Sequence, residues 1–277
     1  MYIRKNAPSA GALPLRPLCA LLAGVLCAAL LAGCASAKLS YNRDLVMAIA
    51  WQQNSGEYAA LCHQAFNAGR VYVESLTPPS GEKRAVVFDI DETVLDNSPY
   101  AAWQVVTGSP WSDETWEAWC NAAQADAVPG ALEFTRFLTS RGIDVFYVSN
   151  RPVSVLKTTA DNLERLGFPN ADPDHVFLQQ TTSDKQPRLD KITAEGYAIV
   201  MLVGDNLDDF DSALRKENNA ERLGWVTDKS GAFGASRIML PNPVYGTFES
   251  AMASNYYGLT PGEKASARLE AIRPWRH

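Results

Sequence analysis

The sequence predicts an α/β fold: a Rossmann-like parallel sheet with helices on both faces, plus a small helical accessory part. Three observations lead there. Residues 85–88, 145–148, 176–178 and 198–203 are short, continuous apolar runs rich in β-branched and aromatic side chains. Strands of that kind are buried on both faces, as in parallel sheets. Helical spacing of apolar residues fills the intervals, near 131–140, 153–166 and 188–195. Finally, three of the four runs end directly in polar residues: Asp89, Ser149-Asn150-Arg151 and Gly204-Asp205. Open α/β sheets place their ligands outside the carboxyl ends of the strands.

The first 33 residues stand apart from this pattern. Arg4, Lys5 and Arg16 are their only charges, and residues 18–31 are almost purely apolar. A positive start, a short apolar centre and a small-residue exit describe an export signal. The centre is shorter than the roughly 20 residues a helix needs to span a bilayer. Leu31-Ala32-Gly33-Cys34 resembles the lipobox of bacterial lipoproteins. That resemblance implies cleavage before Cys34, acylation of Cys34 (palmitate among the chains), and an exported protein anchored to the cell envelope. Ala35 rather than Asp at the next position implies the outer membrane. Removing residues 1–33 takes away three cations and no acid, so the formal charge goes from −6 to −9.

The expected mature domain is 34–277. Helices are predicted over 44–53 and 56–75, within an N-terminal helical part of about 41–76, and Thr77-Pro78-Pro79-Ser80-Gly81 ends the second. The core is expected over about 84–277, with a small Trp-rich insert at about 100–128. Further helical patterns lie near 212–222 and 261–272. The acidic balance and the lack of a basic stretch argue against a nucleic-acid polymer as partner. A small phosphorylated substrate fits the same balance. Cys62 and Cys120 are the only cysteines left after the signal and the anchor. An exported compartment permits a disulfide between them, but two buried thiols are the better expectation for a domain this size. Whether the working unit is one chain or a homodimer stays open.

Phe88-Asp89-Ile90-Asp91-Glu92-Thr93 is the strongest motif. Residues i and i+2 of an extended segment point the same way, so Asp89 and Asp91 share a face at a strand end. Two close carboxylates call for a cation or a proton. Gly204-Asp205-Asn206-Leu207-Asp208-Asp209 follows the most hydrophobic strand and brings Asp205 toward the same cation. Oxygen-only ligands suit Mg²⁺. Capping or a solvated turn is the plain alternative for each acidic group taken alone. No calcium-loop spacing fits. The three histidines, His63, His175 and His277, and Cys62-His63 offer neither a phosphohistidine nor a zinc site, and His175 reads as structural.

These segments, with Asp96-Asn97-Ser98-Pro99-Tyr100, Val148-Ser149-Asn150-Arg151 and Pro241-Asn242-Pro243-Val244-Tyr245-Gly246, resemble the haloacid dehalogenase-like phosphatases. The resemblance is closest to the class C acid phosphatases, bacterial lipoprotein 5′-nucleotidases with four signature aspartates. It implies that Asp89 is the nucleophile and Asp91 the acid and base. It implies Mg²⁺ on Asp89, the main-chain carbonyl of Asp91, and Asp205. Ser149 is expected on a phosphoryl oxygen, and Lys185 as the fixed positive charge, with Lys191 a nearby competitor. Asp209 is expected to orient Lys185 or a metal-bound water. Asp211 stands where relatives often have Gly, which puts the local turn in question.

Trp103, Trp111, Trp116 and Trp119 fall within 17 residues. Trp119 reads as core of the insert. Trp116 matches a family position that stacks on the substrate base, with Tyr245 on the other face. Two aromatic planes suit any nucleobase, so nucleoside monophosphates, nicotinamide mononucleotide among them, are the expected substrates. The competing readings are phosphoryl transfer to an acceptor other than water, and a non-catalytic surface lipoprotein that binds a ligand. Product analysis with an added nucleoside separates the first. Hydrolysis of p-nitrophenyl phosphate with and without EDTA separates the second.

Overall fold

The computed structural model describes residues 43–77 and 81–275. Cys34, and the expected signal before it, lie outside the described residues. So do Pro78, Pro79 and Ser80 of the expected helix break. Among the described residues, no helix is long and apolar enough to cross a membrane.

Two helices open the described chain, α1 (Val46–Asn54) and α2 (Gly56–Ser75). The Ser55 hydroxyl accepts from the Tyr58 amide and starts α2. Strand β1 (Lys83–Phe88) follows, then a two-residue strand β2 (Leu95–Asp96), and helices α3 (Ser98–Thr107) and α4 (Asp113–Ala122). Next come β3 (Asp126–Ala127), α5 (Ala131–Ser140), β4 (Ile143–Pro152), α6 (Leu156–Leu166) and β5 (Val176–Gln179). The remainder is α7 (Gln186–Ala194), β6 (Tyr197–Gly204), α8 (Asn219–Asp228), β7 (Arg237–Met239), α9 (Thr247–Ser250) and α10 (Pro261–Ala271).

Five strands form one parallel sheet in the order β5-β4-β1-β6-β7. Its two faces follow from the period of two along β1. Val86 and Phe88 join Phe66, Phe134, Tyr147 and Met201 in the larger core, under α2 and α5. Ala85 and Val87 face the other way, against Phe146, Phe177 and Ile192, the last from α7. The predicted α/β class is therefore the observed one. The chain departs from β1 to β4 and β5 on one side, then returns to β6 and β7 on the other. That reversal puts a crevice at the carboxyl ends of β1, β4 and β6.

The differences are local. The helix expected at 212–222 is a 3₁₀ segment, Ser212–Lys216, followed by α8. Asn218 and Glu221 form a capping box that restarts the helix seven residues late. Asp211 is accommodated because its carboxylate caps the 3₁₀ segment, accepting from the Ala213 amide at 3.1 Å. β7 was not predicted; three residues are too few to carry a period. Cys62 and Cys120 are free, buried thiols, and burial pushes both up, to about 11 and about 12.

Candidate active site

Asp89 leaves β1 with its amide donating to the Val203 carbonyl at 2.9 Å, so the strand end itself fixes its direction. Its carboxylate accepts from Lys185 Nζ. Lys185, at the start of α7, also donates to Asp209 Oδ1 at 2.7 Å and is only 7% exposed. Lys191 lies elsewhere, 4.1 Å over the Phe177 ring. Asp205 follows β6 and is held by Asn242 Nδ2 at 2.8 Å and by Thr93 Oγ1 at 3.3 Å. Gly204 makes the turn possible: a Cβ there would stand 2.3 Å from Asp209 Oδ2.

Asp89, Asp205 and Asp209 bring carboxylate oxygens within 4.8 Å of one another. One ammonium is bonded to two of these three carboxylates, so negative charge is in excess. Burial pushes Asp205 well above the ordinary carboxylate range, and Asp209 and Asp89 push the same way. Asp89 is raised too, by burial, against the lowering effect of Lys185. An all-oxygen, electron-rich cluster of this kind fits a hard divalent cation. Asp209 is committed at both oxygens, to Lys185 and to the Asn206 amide at 3.0 Å. Asp205 is bonded at both oxygens too, but by the neutral side chains of Thr93 and Asn242 rather than by the ammonium.

The Asp91 side chain is not part of that cluster. It accepts from Ser149 Oγ at 3.0 Å, Asn97 Nδ2 at 2.9 Å and Arg151 Nε at 2.9 Å, with Arg151 Nη2 at 2.8 Å. Ser149, expected on a phosphoryl oxygen, points at Asp91 in this structure. Arg151 is 1% exposed. Its other bonds reach Asn97 Oδ1 at 3.2 Å and Thr159 Oγ1 at 3.3 Å. Asn97 in turn accepts from Trp119 Nε1 at 2.7 Å, which makes Trp119 structural.

Arg151, Asn97 and Glu92 received no individual role from the sequence, although all three lie inside quoted motifs. Glu92 is 1% exposed, with the left-handed φ of 59°. A non-glycine residue there costs about 1–2 kcal/mol. Its carboxylate is fully used: it accepts from the Asn97 amide at 2.8 Å and from the Tyr245 hydroxyl. Burial, then Asp91, push Glu92 up to about 8. Trp116 is partly buried, with the Arg151 guanidinium 5.6 Å from its ring centre. Tyr245 is 40% exposed.

A pH dependence follows. Glu92, Asp89 and Asp205 all have folded-state values above their ordinary ones. Between the two values the folded chain holds more protons than the unfolded chain, so stability falls as pH rises. Without divalent cation, the melting temperature should fall between about pH 4.5 and pH 8, the window set by Glu92. Added Mg²⁺ should flatten the slope. Calorimetry in EDTA showing a melting temperature that climbs through this window would contradict the assignment.

Comparison with known proteins agrees with this geometry. Residues 34–248 match the family model of the HAD superfamily, subfamily IIIB (acid phosphatase). The chain is similar to the stem 31 kDa glycoprotein of Glycine max, at 27% identity over 185 residues, 65% of this chain and 57% of that one. It is similar to acid phosphatase 1 of Solanum lycopersicum, at 26% identity over 181 residues, 63% of each. It thus spans less than two thirds of the length of these curated relatives. Among solved structures, the class C acid phosphatase from Bacillus anthracis superposes with a TM-score of 0.80 at 36% identity, covering 86% of this chain and all of that one. The same enzyme with tungstate bound gives 0.79 at 34% identity. The chain belongs to the HAD superfamily, subfamily IIIB, the acid phosphatase family, with the fold of the class C enzymes.

Proposed function

We propose that this protein is a Mg²⁺-dependent acid phosphatase that hydrolyses phosphomonoesters, with nucleoside 5′-monophosphates as its preferred substrates. The observation that carries the reading is the convergence of Asp89, Lys185, Asp205 and Asp209 from separate segments on one buried spot. The family membership supports the same reaction, and the tungstate held by the Bacillus anthracis relative is a tetrahedral oxyanion like phosphate.

Asp89 is the nucleophile. Its carboxylate oxygen attacks phosphorus, and the ester oxygen departs with a proton from Asp91, leaving an aspartyl-phosphate. Asp91 then takes a proton from a water that attacks the same phosphorus, releasing phosphate and restoring Asp89. Lys185 draws Asp89 toward its charged form against the effect of burial and lowers the repulsion between two anions, and Asp209 fixes Lys185. Asp89, Asp205 and the carbonyl of Asp91 would hold Mg²⁺, which supplies charge compensation for the transferring phosphoryl group. Arg151 and Asn97 hold the Asp91 carboxylate until Ser149 turns from it to a phosphoryl oxygen.

The test is hydrolysis of p-nitrophenyl phosphate. EDTA should abolish it, and Mg²⁺ should restore it more fully than Ca²⁺. A rate untouched by EDTA would remove the metal from the account.

Trp116 and Tyr245 would hold the base between them. Supporting this, the Trp116 ring lies beside Arg151, which holds Asp91, and the Tyr245 hydroxyl donates to Glu92, whose carboxylate accepts from the Asn97 amide. Stacking on one aromatic ring is worth about 1–3 kcal/mol per base. Trp116→Ala and Tyr245→Ala should each raise KM for nucleotides about tenfold or more, and far less for aryl phosphates. Equal effects on both substrates would make the rings structural only.

We further propose that Cys34 is acylated and anchors the protein in the outer membrane. The lipobox-like Leu31-Ala32-Gly33-Cys34 and the start of the family match at residue 34 support this.

A further inference from the structure

The two ends of the described chain meet. Asp44, just before α1, pairs with Arg268 of α10. Arg268 also bonds Glu249 and, at 2.8 Å, the Tyr256 hydroxyl, so the junction is tied to the fold at three points. Large apolar side chains stand exposed around it. Val46 and Met47 open α1 at 45% and 76% exposure, Leu269 and Ile272 close α10 at 68% and 62%, and Tyr257 is 72% exposed. Ile272 is the residue that ends α10, four positions beyond Arg268. Soluble proteins rarely gather exposed apolar side chains in one place without a partner.

The charge of this strip is also unlike the rest. Arg43, Lys264, Arg268 and Arg273 stand with Asp44, Glu249, Glu263 and Glu270, so cations match acids in number in a chain that is acidic as a whole. Beneath the strip, Ile49 of α1 packs with Ala101 of α3 and Val244, the neighbour of Tyr245. The α1 side of the strip therefore packs directly against the segment that carries Tyr245.

We propose that the start of α1 and the end of α10 form a seat on the surface of the bilayer that carries the lipid anchor. The inference rests on the acylation of Cys34. Eight residues separate Cys34 from Arg43, nine steps along the chain. At about 3.3–3.6 Å per residue, even a fully extended tether reaches only about 30 Å. The anchored end of the chain thus keeps the start of α1, and this strip with it, within about 30 Å of the membrane. Tyrosine and apolar side chains with flanking cations match the bilayer interface. The acyl chains supply the attachment, and the seat sets the orientation of the active-site mouth.

The test uses the full mature lipoprotein in phosphatidylethanolamine–phosphatidylglycerol vesicles, at about one copy per vesicle. A nitroxide is placed at Ile272→Cys and, separately, at Met47→Cys; native Cys62 and Cys120 are buried and do not label. A control label goes on Leu223→Cys, exposed at 65% on α8. The labels at 272 and 47 should lose accessibility to an aqueous nickel chelate several-fold relative to the label at 223, and gain accessibility to oxygen. Equal nickel accessibility at all three positions overturns the seat. Shielding that appears only at many copies per vesicle also overturns it, because a second copy of the chain is then the occupant. Mass spectrometry of the same sample reads the acyl mass at Cys34. If the mass is missing, the anchor fails and the seat falls with it; if it is present without shielding, the seat alone fails.

Discussion

Asp89→Asn should lower phosphate release by about 10⁴-fold or more, the size of loss seen when a covalent nucleophile is removed. The substitution is nearly isosteric and takes away one negative charge from a crowded acidic spot. The amide cannot form the acyl-phosphate, whatever else the site retains. The fold should survive. The Asp89 amide still donates to Val203, and Lys185 keeps Asp209 as a partner. Metal-free protein should even gain stability, because Asp89 is a buried carboxylate that burial already drives toward its neutral form. Two measurements decide: a single-turnover trap for phosphorylated protein, and the melting temperature in EDTA. A variant that still accumulates phosphoenzyme would take the nucleophile away from Asp89. A variant with lost activity and a collapsed melting temperature would show only a folding defect.

What the sequence made legible divides along physical lines. The strands were readable because both faces of the sheet are covered, so their residues run apolar without alternation; 85–88 and 198–203 were found to within about two residues of β1 and β6. Helix α2 was bounded at its end by a strong signal, the proline-rich stretch after it, while the Ser55 cap at its start came from the structure. The restart at Asn218 was missed because the apolar spacing ran through it, while the capping box that decides it is made of polar residues. The same holds for the site. Asp89, Asp91 and Asp205 stood out by their place at strand ends. Arg151 did not, because an arginine after a strand usually means a solvated rim. Only the structure shows it 1% exposed and clamped on Asp91. Asn97 was hidden for a similar reason. Its two side-chain groups serve Asp91, Glu92, Arg151 and Trp119 at once, and spacing along a chain carries no information on a hub of that kind.

Lys185→Met tests the electrostatic half of the site. Burial alone would lower the Lys185 value, but Asp209 and Asp89 outweigh it and hold the ammonium charged. A folded-state value raised above the unfolded one gives stability that is fully present below the unfolded pKa, hence at every pH up to neutrality and beyond. Removing one partner of a buried ion pair costs about 3–5 kcal/mol, or roughly 6–20 °C in melting temperature for a chain this long. The cost should depend on conditions in a way that a packing defect would not. At pH 7.5 in EDTA, Asp89 and Asp209 lose the ammonium they share, with Asp205 beside them. Near pH 5, Asp89 and Asp205 are already held toward the neutral form by burial, so less repulsion is exposed. Mg²⁺ should therefore raise the melting temperature of the variant more than that of the wild type, and the deficit should shrink from pH 7.5 to pH 5. Activity should still fall about 10²–10³-fold with saturating metal, because a preorganised positive charge at the transferring group is worth about 3–4 kcal/mol. A deficit equal at both pH values and blind to Mg²⁺ would mean that Lys185 serves by filling space, and the charge-balance account of the site would have to be abandoned.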